Sequence, residues 1–138
     1  MKILFLEPFF TGSHRRWCEE IQEFSSHEVH ILSLSGNHWK WRMHGGAVTL
    51  ADKFNKINWK PNLIIATDML DFTTFLSLTR KKTYNIPAII YFHENQISYP
   101  WSPNDIDVKN IHDLVHYCAG HKLLIFQVYS HHNLDKNT

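Results

Sequence analysis

A chain of 138 residues with 14 Lys+Arg, 13 Asp+Glu and 11 His carries a formal charge of +1, which fits one domain and excludes a polybasic nucleic-acid arm. Apolar residues make up 43% and charged residues 20%, a globular composition that excludes a disordered chain. Cys18 and Cys118 stand far apart with no C-x-x-C, which excludes a cysteine-rich zinc site and a thioredoxin-type motif. Glu7 and Pro8 interrupt the N-terminal apolar run too early for a secretory signal. No segment approaches the ~18 apolar residues of a membrane span. The expectation is a soluble cytoplasmic protein with no membrane partner.

Residues 2–6 (K-I-L-F-L) are predicted as a buried strand ended by Glu7-Pro8. Thr11-Gly12-Ser13 reads as a turn, with Ser13 capping a helix that carries Trp17, Ile21 and Phe24. A second strand covers 29–34 and closes at Ser35-Gly36-Asn37. Residues 38–46, H-W-K-W-R-M-H-G-G, show no clean period and read as a loop. A helix over about 47–55 follows, with Val48, Leu50, Ala51 and Phe54 as its apolar set. Then come a strand at 62–66, a helix at 68–82 and a strand at 86–92, where Pro87 fits only at the start. A polar loop at 93–104, a helix at 105–118 and a last strand at 123–128 complete the chain.

Strands that are continuous apolar runs, alternating with helices, predict an α/β fold: a Rossmann-like parallel sheet with helices on both faces. Such sheets bind ligands at the carboxyl ends of their strands. Those ends fall at 7–14, 35–46, 67–72 and 93–103, where the chemically unusual residues gather.

In the first of these loops, Gly12 precedes a helix N-terminus, whose free N–H groups suit a phosphate. His14, Arg15 and Arg16 add positive charge, although a turn followed by a solvated basic face explains the same residues. In the second, Trp39 and Trp41 alternate with Lys40 and Arg42, a pattern suited to stacking on bases or sugars beside phosphate. The competing reading is a strand end with both tryptophans packed under a loop. The paired glycines Gly45 and Gly46 suggest a close backbone approach. In the third, Thr67 or Asp68 caps a helix, or Asp68 or Asp71 stands at a site rim. The fourth, Y-F-H-E-N-Q-I-S-Y-P-W, is the most specific. His93 suits general-base or hydrogen-bond work, Glu94 can orient it, Asn95 and Gln96 offer amide pairs, and Tyr99 and Trp101 offer stacking faces. Histidine spacings supply no metal site: His112 and His116 lack the glutamate of H-E-x-x-H, and His27 and His30 face opposite ways.

Taken together, F-x-E-P-F-F-x-G-S-H, W-K-W-R-x-x-G, A-T-D-M-L-D and Y-F-H-E-N-Q-x-x-Y-P-W resemble the N-terminal domain of the tRNA-queuosine alpha-mannosyltransferase family. Those are GT-B glycosyltransferases, similar to retaining family 4 enzymes. The resemblance is strongest over about residues 1–107, and 108–138 depart from the family pattern. It implies transfer of mannose from GDP-mannose to the queuosine of a tRNA, with no further cofactor. It places Gly12, Ser13 and His14 toward the donor phosphates and His93 near the reacting sugar. Glu94, Asn95 and Gln96 fall in the cleft wall, with Asp68 and Tyr99 beside it, and Trp39, Lys40, Trp41 and Arg42 toward the acceptor. It also implies a donor-binding C-terminal domain, supplied in cis or in trans, without which the chain is expected to be inactive. The alternatives are a non-catalytic RNA- or glycan-binding module, a truncated or frame-shifted gene product, and a small flavodoxin-like or receiver-like protein.

Overall fold

The computed structural model describes residues 1–93 and 124–127. Strands β1 (Lys2–Phe10), β2 (Glu28–Ser35), β3 (Leu63–Thr67), β4 (Ala88–Phe92) and β5 (Leu124–Gln127) form one sheet in the order β2-β1-β3-β4-β5. All four pairings are parallel, as the continuous apolar runs predict. Helix α1 (Gly12–Phe24) links β1 to β2, and α2 (Trp39–Lys56) links β2 to β3. The pair α3 (Phe72–Leu78) and α4 (Arg80–Thr83) leads into β4. The path from β1 to β2 steps one way along the sheet and the later paths step the other way. Right-handed crossovers therefore put α1 on one face and the following helices on the opposite face.

Packing follows that division. On the α2 face, Leu4, Leu6, Leu34, Ile64, Ala66 and Ile90 meet Ala47, Leu50, Ala51 and Phe54 of α2 and Phe72 and Phe75 of α3. On the α1 face, Ile3, Phe5 and Val29 surround Cys18, with Trp17 and Ile21 against them. Lys82 closes the far end of α2: its ammonium donates to the carbonyls of Phe54, Asn55 and Ile57 at the helix end and its cap. No helix among the described residues is long and apolar enough to cross a membrane.

Four sequence expectations change. Strand β1 runs through Glu7-Pro8 to Phe10, because Glu7 finds partners inside the fold and Pro8, which has no N–H, sits where the β1–β2 register shifts. Helix α1 starts at Gly12, in the left-handed region at φ +52, so Thr11 holds the cap position and Ser13 is already helical. Residues 39–46 are helix rather than loop or strand end. Their apolar period fails because this stretch overhangs the sheet with little core to face, and Trp41 is 79% exposed. Only from Gly46 is one side buried: a Cβ there would lie 3.1 Å from that of Pro8. Finally, the helix expected over 68–82 is broken. Asp71, not Thr67 or Asp68, caps α3 by accepting from the Thr74 N–H at 3.0 Å and the Thr74 hydroxyl at 2.6 Å. The helix expected at 105–118 lies outside the described residues.

Candidate functional site

Strand alternation determines which side chains reach the carboxyl edge together. The pairings Ile3↔Leu63, Phe5↔Ile65 and Ile65↔Ile89 place Ile3, Phe5 and Glu7, then Leu63, Ile65 and Thr67, then Ile89 and Tyr91 on the α1 face. Along each strand the apolar series ends in a polar group: Glu7, Thr67 and Tyr91. The N-terminus of α1 stands over them, held by the chain at either side. The β2–α2 connection presses against it so closely that a Cβ on Gly36 would fall 2.3 Å from that of Thr11.

Glu7 is completely buried and uses both oxygens. One accepts the Phe9 N–H at 2.8 Å, and the other lies 3.0 Å from His14 Nδ1. The His14 ring stacks on His93, with centroids 3.9 Å apart and planes 27° from parallel. His93 Nδ1 in turn lies 3.5 Å from the Asp68 carboxylate, too loose for a good hydrogen bond, and among the described residues neither ring nitrogen of His93 has a hydrogen-bond partner. Trp17 stacks on Tyr91 at 4.2 Å and meets His93 edge-on at 5.2 Å, and Tyr91 also meets His93 edge-on. Among the described residues, two imidazoles are thus wedged between two carboxylates and the rings of Phe9, Trp17 and Tyr91.

Burial shifts two titratable groups on this face. Burial, with the Asp68 charge, raises the Tyr91 hydroxyl above its ordinary range. Burial, reinforced by the charges of Glu7 and Glu19, pushes the Cys18 thiol up to about 12, so Cys18 is no nucleophile. Glu7, His14 and His93 bring three possible metal-ligand atoms within 4.8 Å of one another. Stacked rings, however, direct their in-plane lone pairs along nearly parallel planes, so a shared metal would require the stack to open. Spacing along the chain, the basis for expecting no metal, does not reveal such a cluster.

Of the predicted site residues, His14, His93 and Asp68 come together, and Gly12 and Ser13 form the start of the helix that brings His14 in. Trp39, Lys40, Trp41 and Arg42 open α2 on the neighbouring part of the edge, where the Arg42 guanidinium donates to the Ser35 hydroxyl at 2.9 Å. Glu94, Asn95, Gln96, Tyr99 and Trp101 lie outside the described residues. Glu7, Trp17 and Tyr91 were not singled out as site residues by the sequence, although a carboxylate within an otherwise apolar strand is a signal for one. Neither α1 nor α2 has an acidic residue in its first turn. Both begin instead with cations (Arg15 and Arg16 in one, Lys40 and Arg42 in the other), against the usual preference of a helix dipole.

Comparison with known proteins agrees with the motifs. A tRNA-queuosine alpha-mannosyltransferase from Drosophila melanogaster is 30% identical over 104 residues, a match covering 71% of this chain and 26% of the relative. The chain therefore spans about a quarter of that relative's length. No solved structure matches it. The family profile described as tRNA-queuosine alpha-mannosyltransferase N-terminal matches residues 2–132, nearly the whole sequence, and the chain belongs to that family.

Proposed function

We propose that this chain is the acceptor-side half of a retaining GT-B glycosyltransferase that moves mannose from GDP-mannose to queuosine in tRNA. The observation that carries the reading is the pair of buried Glu7 and half-buried His14, stacked on His93 at the carboxyl edge, where parallel α/β sheets bind their ligands. His93 is the residue assigned to the reacting sugar, where an imidazole wedged between aromatic rings is held in one orientation for hydrogen bonding or proton transfer. Glu94, Asn95 and Gln96, next along the chain, are assigned to the cleft wall. Among the described residues nothing lies within 4 Å of where a Cβ on Gly12 would be, and the helix N–H groups there supply donors for a diphosphate. The cation-bearing starts of α1 and α2 suit a polyanion such as tRNA.

The partners in this reading are tRNA and a donor-binding domain, in cis or in trans. No metal or organic cofactor is needed, because the leaving diphosphate is stabilised from the donor-binding side. Tested alone, the 138-residue chain should bind tRNA with an affinity that falls as salt rises, and should not transfer mannose. Continued by the remaining length of the Drosophila relative, it should transfer mannose to queuosine-containing tRNA. Turnover by the chain alone would refute the dependence on a second domain. Absence of transfer by the continued protein would refute the reading itself.

A further inference from the structure

We infer that Glu7 is a positioning residue acting through His14: it keeps the ring hydrogen on Nδ1, so that the neutral imidazole carries its lone pair on Nε2. The geometry leaves Glu7 little choice of role. Its side chain is fully buried, and one oxygen is committed to the Phe9 N–H at 2.8 Å, a backbone donor that cannot turn away. The other oxygen faces His14 Nδ1 at 3.0 Å, and a carboxylate oxygen can only accept there. The ring plane is fixed separately, by the stack on His93 at 3.9 Å and by the edge of Phe9 at 6.0 Å, and a half-turn of the ring within that plane would give up the Nδ1 contact with Glu7. A neutral His14 in this tautomer accepts a hydrogen bond at Nε2. On the transferase reading, Glu7 thereby fixes the hydrogen-bonding character of His14 without touching a ligand itself.

The tautomer can be read on the 138-residue chain whatever its activity. Nitrogen-15 spectra of the labelled protein, taken where the imidazoles are neutral, distinguish a protonated from a bare ring nitrogen. His14→Gln identifies the His14 signals by their disappearance. The expected result is a protonated Nδ1 and a bare Nε2, the reverse of the form that free histidine favours. In Glu7→Gln the carboxamide oxygen keeps the Phe9 N–H, which turns the NH2 group toward Nδ1. The hydrogen should then move to Nε2. A native His14 protonated on Nε2 would overturn the inference, as would a folded Glu7→Gln protein that keeps the hydrogen on Nδ1. If Glu7→Gln does not fold, the native spectrum decides. Failure of mannosyl transfer would leave the tautomer result untouched.

Discussion

On the α2 face, β1, β3 and β4 present Leu4 and Leu6, Ile64 and Ala66, and Ile90 to an apolar helix layer. On the α1 face the same strands begin with apolar residues but end in Glu7, Thr67 and Tyr91. One sheet therefore has a side built for stability and a side that gives up apolar burial at its carboxyl edge. Burying a carboxylate costs free energy unless hydrogen bonds offset it, and Glu7 is retained through two of them. The α2 face thus holds the domain together, and the α1 face presents polar groups at its carboxyl edge.

The largest effect should come from the α2 face. Phe54 is 1% exposed and sits against Phe75, so Phe54→Ala should cost about 3–5 kcal/mol in urea unfolding. Cys18, buried on the other face, should lose only about 1 kcal/mol on replacement by alanine. Equal losses from the two variants would break the comparison.

Alkaline pH should stress the α1 face selectively, with a smaller effect. The unfolded thiol of Cys18 ionises near its ordinary 9.0, whereas the folded one holds its proton up to about 12. Its contribution is therefore full below pH 9.0 and is lost as pH rises toward 12. Tyr91, also raised, adds a loss of the same sign above its ordinary 10.0. Urea midpoints measured across this range should fall, and Cys18→Ala should flatten the slope. An unchanged slope would mean that the thiol is not the group being titrated.

The smallest effect concerns the rim. Arg42→Ala should weaken tRNA binding and reduce the salt slope by about one, the signature of one lost phosphate contact. An unchanged slope would remove Arg42 from the tRNA-facing surface.

Much of this molecule was legible in its sequence. The apolar runs announced the parallel sheet, and His14, Asp68 and His93, each placed by the sequence at a strand's carboxyl end, lie close together in the fold. The failures share a physical cause: local patterns do not show what a segment meets in three dimensions. Glu7 looked like a strand terminator because its partners, His14 and the Phe9 N–H, become visible only once the chain has folded back. Residues 39–45 looked like a loop because a helix that overhangs the sheet has no reason to alternate polar and apolar residues at a helical period. Tyr91 looked like ordinary strand filling, and only the register Thr67↔Tyr91 aligns it with the polar edge.

On the proposed transferase reading, the polar end of the α1 face does the chemistry, with His93 at its centre. The most direct test is steady-state mannosyl transfer by the chain continued with the remainder of the Drosophila relative, compared with its His93→Ala variant. In that variant kcat should fall by roughly 10²-fold or more while KM for the tRNA changes little, as expected of a group used mainly in the transition state. An unchanged kcat in the folded variant would contradict it.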